Sequence, residues 1–376
     1  MTTTCTRLLV NKGNIHECTL QEVPKLQEQD LQDGEVLLDI DHFAFTANNI
    51  TYATLGDRFG YWDFFPAEAP WGQVPVWGFA DVSASRHPDI AVGTRVYGYL
   101  PMAGQLRVRP GNLTASSFTD TADHRSHLAL AYNQYQFTAT DPAYRPELEA
   151  LQMLLRPLLL TSFLLDDFLQ ENDCFGAEQI ILTSASSKTA LGLAFMLQHQ
   201  RASRGGKPQR IVALTSSGNV SFVAGLGYYD QTIAYDQLDQ LDASIPSVLI
   251  DFAGNGGLLA DVHTHLGDNL TFSSLVGAAH WDQRKTEKNL PGAKPEVFFA
   301  PGYWAQRSKA LGPAELMQRF ASLWMPLTRS VGSWMEITAA VGGEAIRQGY
   351  LDTLNGLIRP ETGVIMKIGG EHGDSR

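Results

Sequence analysis

Between residues 179 and 276, short aliphatic and β-branched runs alternate with longer segments of helical spacing. The pattern predicts strands at 179–183, 210–215, 247–252 and 270–276, with helices near 187–203, 219–226 and 256–266. "EVFFAP" (296–301) is a further candidate strand. Strands joined through helices must run parallel, and each crossover lays a helix on the sheet, so both faces are covered. Residues 1–115 read differently. "GEVLLDIDHFAF" (34–45), 74–85, 94–101 and 104–113 look like strands without helices between them. Helical spacing returns over 145–172 and after 310, and "GVIMKI" (363–368) closes the chain as a strand. The expected fold class is α/β: a doubly wound parallel sheet plus a β-rich domain.

Composition narrows the function classes. The 376 residues suffice for two domains, and 44% are hydrophobic. A net charge of −12 with no basic run argues against nucleic acid and anionic membranes as partners. The three cysteines, Cys5, Cys18 and Cys174, have no CxxC spacing, which argues against a disulfide framework or a zinc lobe. "LQMLLRPLLLTSFLLDDFL" (151–169) is interrupted by Arg156, Pro157, Asp166 and Asp167, as suits a buried helix better than a membrane span. "MTTTCTRLLVNKG" lacks the apolar stretch of a signal peptide, so a cytoplasmic location is expected.

The first strand–loop–helix, "ILTSASSKTALGLAF" (181–195), carries the chemistry. In a dinucleotide-binding unit this loop brings backbone N–H groups to a pyrophosphate at a helix N-terminus, usually with the help of glycines. Here Ser184, Ala185, Ser186, Ser187, Lys188 and Thr189 stand instead. Hydroxyls can bond phosphate oxygens and Lys188 adds a positive charge. The alternative is a plain capped turn that binds nothing. The second strand ends in Thr215, Ser216, Ser217 and Gly218 with no carboxylate to hold a ribose 2′-OH, so NADP is favoured over NAD; the alternative is an ordinary turn rich in Ser and Thr. No GxSxG elbow is present, and Ser184 precedes Lys188 by four residues, which disfavours a serine hydrolase.

Read together, the elements resemble the medium-chain dehydrogenase/reductase superfamily, in particular its zinc-free quinone and enoyl reductases. "GEVLLDIDHFAFTANNITYATLG" (34–56) is similar to the opening strand and following turn of that family's substrate domain, and "DIAVGTRVYGYLP" (89–101) to its Gly–Asp–Arg–Val stretch, with Thr94 for the aspartate. "LEALQMLLRPLLLTSFLLDDFL", "IAYDQL" (233–238), "VLIDFAGNGGL" (248–258), "LTFSSLVGAAHW" (270–281) and "GLIRPETGVIMKI" (356–368) continue the match. The resemblance implies a GroES-like substrate domain over 1–145, completed by 305–376, and a Rossmann-like cofactor domain over 146–304, with a cleft between them. It implies Tyr235 near the adenosine ribose, and Ala253 and Val276, at the ends of the fourth and fifth strands, as further cofactor-binding residues. The family's loop glycines are missing near Ala185, Lys188 and Leu191. Its catalytic-zinc ligands are missing near Thr46 and Gly78, so no metal is expected. His263 and His265, two apart on a helix, point in different directions and make a poor metal pair.

In zinc-free relatives the cofactor carries the reaction, and the protein needs little more than a proton donor. Tyr52 and Tyr61 are the candidate donors, and Asn49, beside Asn48, the candidate holder of a substrate oxygen. Packing is the alternative for each. Phe59, Tyr61, Trp62, Phe64 and Phe65 would favour a flat apolar or aromatic substrate, or form a hydrophobic cluster under a loop. Arg307 could meet an anion or a surface carboxylate. The expected activity is NADPH-dependent reduction of an enone, quinone or activated carbonyl compound. A non-redox lyase or isomerase on the same fold and a cofactor-poor scaffold are the alternatives. A small molecule is the expected partner, and a homodimer is left open.

Overall fold

The computed structural model describes residues 3–202, 209–276 and 290–369. Two compact units divide the chain, Met1–Leu154 with Trp334–Arg376, and Leu155–Ser333.

The first unit opens with the antiparallel pair β1 (Thr4–Asn11) and β2 (Asn14–Pro24). Next come β3 (Val36–Phe45), α1 (Ala47–Thr54) and α2 (Gly56–Phe59). The strands β4 (Trp71–Gly72), β5 (Pro75–Ser85), β6 (Arg95–Pro101), β7 (Gln105–Val108), β8 (Pro110–Gly111), β9 (Ser117–Asp120) and β10 (Gln134–Phe137) follow. β3 buries Val36, Leu38 and Ile40, then changes parity to bury Phe43 and Phe45. A register shift between Ile40 and His42 explains this, because a bulge turns the following side chains to the other face. Residues 47–54, expected as a turn, form helix α1.

Helix α3 (Glu149–Glu171) leads into the second unit. The helical segment Pro146–Glu171 is long and apolar enough to cross a membrane, yet 56% of its apolar window is buried inside the protein. The alternation predicted from sequence follows: β11 (Gln179–Leu182), α4 (Lys188–Gln200), β12 (Arg210–Thr215), α5 (Val220–Gly225), β13 (Gln231–Ala234), β14 (Ser247–Asp251), α6 (Gly256–Leu266) and β15 (Leu270–Leu275). β16 (Pro295–Val297) stops short of the expected 296–301, because α7 (Ala300–Leu311) begins at the Ala–Pro pair; α8 (Pro313–Val331) comes next. The six parallel strands lie in the order β13-β12-β11-β14-β15-β16. Every residue of β11 and β14 is buried, as in a sheet covered on both faces.

The chain then returns to the first unit with β17 (Glu336–Val341), α9 (Gly343–Leu354) and β18 (Thr362–Lys367). The larger sheet there runs β17-β18-β3-β5-β6-β10-β9-β8, with β7 paired to β3. α9 packs Ile346 and Tyr350 into the core, and the Tyr350 hydroxyl donates to the Ile15 carbonyl at 2.7 Å. A Rossmann-like parallel sheet and a β-rich GroES-like unit are thus both present.

Candidate functional site

In the parallel sheet, β11 and β14 are neighbours whose following connections leave in opposite directions. Crevices at such a switch point, outside the carboxyl ends of the strands, are where open α/β sheets bind ligands. The glycine-free loop sits here. Ser184 takes a left-handed backbone (φ +45°), the conformation a glycine would supply. Its N–H donates to the Tyr235 hydroxyl at 3.1 Å, and its carbonyl accepts from Ser187 N–H at 2.8 Å. The Ala185 N–H donates to the Leu214 carbonyl at 3.1 Å. The Ser186 hydroxyl accepts from the Asn219 amide at 3.0 Å, and the Ser187 hydroxyl caps α4 by accepting from Ala190 N–H. Lys188 and Thr189 open the helix and are half-buried. Burial pushes the Tyr235 hydroxyl up to about 12.

Sequence reading missed the residue pair that fixes this crevice. The buried Thr183 hydroxyl donates to Asp251 at 2.5 Å and accepts from the N–H groups of Phe252 and Ala253. Ala253 is fully buried, and Val276 N–H donates to the Asp251 carbonyl at 2.9 Å. It also missed Gly192, although the sequence shows it. A Cβ there would lie 2.4 Å from Leu159 Cδ2 and 2.8 Å from Ser162 Oγ, so α4 approaches α3 as only a glycine allows.

At the end of β12, Thr215 is buried and its hydroxyl has no hydrogen-bond partner, while Ser216 and Ser217 are exposed. The sequence shows no carboxylate on this strand. The fold brings one from the turn after β13: Ser217 donates to Asp236 at 3.3 Å.

The catalytic candidates lie in the first unit. Tyr52, on α1, is 5% exposed and accepts from the Asn48 side-chain amide at 2.8 Å. Its ring lies 4.6 Å from that of Tyr61, with Tyr99 at 5.6 Å and Tyr132 at 6.3 Å. Burial drives the hydroxyls of Tyr52, Tyr61, Tyr99 and Tyr132 above the ordinary tyrosine value, so all four stay protonated at neutral pH. The Tyr99 hydroxyl is buried without a partner. Tyr99 and Tyr132, far away in sequence, carry no local signal that would reveal them. Asn49 is buried; its carbonyl oxygen accepts from the Thr46 N–H at 2.8 Å, and its amide donates to the Pro75 carbonyl at 2.9 Å. Both ends of that side chain serve the start of α1.

Of the 59–65 aromatics, Trp62, Phe64 and Phe65 are core, Tyr61 is half-buried and Phe59 is exposed. Arg307 is buried and donates to the buried Asp167 and to the surface carboxylate Glu171, each at 3.0 Å, which matches the salt-bridge alternative. His263 bonds the Pro291 carbonyl and Ser273, whereas His265 bonds the Leu241 carbonyl. Among the described residues one set of metal-type side chains converges, Asp41, His42 and Glu149. Arg95 donates to both of those carboxylates at 2.7–2.8 Å and Lys367 to Asp41 at 3.1 Å, so cationic side chains already balance them.

A family model described as "Protein of unknown function (DUF2855)" matches residues 43–359. The chain belongs to that family. No curated protein matches it in sequence. Solved structures do match this family member in fold. A protein described as an NADPH:quinone reductase, from Mesorhizobium loti, superposes with a TM-score of 0.61 at 14% identity, over 98% of this chain and 99% of its own. CurA from Vibrio vulnificus in complex with NADPH gives 0.57 at 13%, over 97% and 100%. The Etr1p/NADP/crotonyl-CoA complex gives 0.57 at 12%, over 97% and 100%. The likeness to medium-chain reductases therefore holds for the fold of nearly the whole chain.

Proposed function

We propose that this protein is a zinc-independent reductase that uses NADPH to reduce an enone, a quinone or another activated carbonyl compound with an apolar or aromatic body. The observation that carries the reading is the loop at the switch point, where Ser184 adopts the left-handed backbone of a nucleotide-binding glycine. The dinucleotide fits the residues present. Ser186, Ser187 and Lys188 gather at the N-terminus of α4, and Thr215 offers a buried hydroxyl with no partner at the end of β12. The fold-mates solved with NADPH or NADP support the same cofactor. In this reading the second unit holds the cofactor, the first holds a small-molecule substrate, and the protein works in the cytoplasm.

Bound NADPH supplies the hydride. The chain's own residues handle the proton and the oxygen. Tyr61, half-buried, and Tyr52, behind it, are neutral acids at working pH and can protonate a developing enolate. The Asn48 amide donates to the Tyr52 oxygen and orients that hydroxyl. Asn49 serves as a positioning residue for α1. Losing a general acid costs about 10²–10⁴-fold in rate. NADPH oxidation over a panel of enones, quinones and ketones should show turnover that Tyr61→Phe or Tyr52→Phe lowers by that factor without loss of NADPH affinity. Turnover indifferent to both changes would return the tyrosines to packing.

One observation favours a cofactor-poor scaffold instead. The N–H groups of Ser184, Ala185, Ser187 and Ala190 are all bonded within the protein. Failure to bind either NADPH or NADH would decide for that reading.

A further inference from the structure

Strand β17 forms one edge of the larger sheet in the first unit and pairs in parallel with β18 over its whole length. The N–H of Glu336 donates to the Glu361 carbonyl at 2.9 Å, and that of Gly342 to the Lys367 carbonyl at 2.8 Å. Even-numbered residues therefore face β18. By the alternation of a strand, Ile337, Ala339 and Val341 direct their N–H and C=O groups to the open edge. On the same side-chain face, Ile337 is 44% and Val341 41% exposed.

Natural sheets protect such edges with charges, prolines, bulges or short strands. The other edges described here do so. β2 carries Glu17 and Glu22, β8 is two residues starting at Pro110, β16 begins Pro295–Glu296, and β13 has four residues. β17 has six residues, a regular register, and neither charge nor proline from 337 to 341.

We propose that β17 is a self-association edge, where a second copy of this chain adds its own β17 antiparallel about a two-fold axis at Ala339. The register is self-complementary. Ala339 meets its copy, Ile337 meets Val341 twice, and Glu336 falls opposite Gly342, so no like charges are opposed. In this register the two exposed aliphatic side chains, Ile337 and Val341, cover each other across the axis, a pairing an unrelated extended peptide does not bring with it, which is why a second copy is the occupant. The inference does not depend on the proposed chemistry.

Sedimentation velocity of the full chain from about 1 to about 100 µM tests it, a range that spans the affinity of a small interface. The wild type should dimerise reversibly. Ala339→Pro removes an edge N–H without touching the β18 side, and Ile337→Lys alters only an exposed side chain. Each should weaken dimerisation by about tenfold or more. In a hydrogen-bonded antiparallel pair facing Cα atoms lie about 5.5 Å apart, within disulfide reach. Ala339→Cys should therefore crosslink to its copy under mild oxidation, and Thr338→Cys should not. A wild type that stays monomeric, including one that binds an extended peptide at this edge, overturns the proposal. So does a dimer that both substitutions leave unchanged.

Discussion

His42 is held between two carboxylates, with Nδ1 2.7 Å from Asp41 and Nε2 3.1 Å from Glu149. Burial disfavours its charged form, but the two carboxylates outweigh burial and its basicity is raised above the ordinary value of 6.5. Burial likewise pushes against Glu149, yet bonds from His42, Arg95 and Tyr144 bring it down to about 2. The signs then follow. A histidine raised in the folded state stabilises fully below its unfolded value, and that contribution is lost as pH rises through the folded value. Glu149 stabilises above its unfolded value, and that is lost as pH falls towards 2. Stability to urea should therefore decline as pH rises above the ordinary histidine value, and His42→Gln should flatten the slope. An unchanged slope in the variant would remove His42 as its source. At this scale the sequence shows residue types but not partners. Lys188 and the loop serines stand out because they are adjacent. The Thr183–Asp251 bond joins positions 68 apart, and the Tyr52–Tyr99 contact is equally invisible to local pattern. Arg307 was ambiguous for the same reason: its carboxylates lie on α3, more than a hundred residues earlier.

The loop between β11 and α4 shows how an element can be legible while its chemistry departs from the usual composition. The apolar strand, the small polar loop and the apolar helix were evident because each follows its own periodicity. The left-handed residue was not, since serine rarely adopts φ near +45°. For an L-residue with a Cβ that conformation costs roughly 1–2 kcal/mol, part of which a glycine returns as extra freedom in the unfolded chain. Ser184→Gly should therefore raise stability by about 1 kcal/mol in urea unfolding. A less stable variant would show that the serine side chain contributes more than its backbone costs. Elsewhere the reading failed for related reasons. α1 is eight residues long and begins in a Thr–Ala–Asn–Asn stretch that looks like a turn. β17 does not announce itself because its apolar residues fall on both faces instead of alternating cleanly with polar ones, and nearly all of them are exposed. α9 contributes only Ile346 and Tyr350 as buried residues, too few to draw a convincing stripe.

For the whole molecule, the order of elements carried more information than any motif. Alternation compelled a parallel sheet, and the result is the strand order of a doubly wound dinucleotide fold. The β-rich opening and the returning terminal strand supplied the other unit. What a sequence of this kind does not settle is whether the glycine-free loop still takes its ligand, because the same hydroxyls can cap a helix or bind a phosphate. Binding of the dinucleotide is thus the central claim, and fluorescence titration of the purified protein with NADPH and NADH, repeated with Lys188→Ala, tests it most directly. Saturable binding with NADPH tighter than NADH is expected. Lys188→Ala should weaken NADPH by about 1–3 kcal/mol, the worth of a charge-assisted hydrogen bond, while leaving the fold intact. No binding of either dinucleotide, or a preference for NADH, would contradict the account.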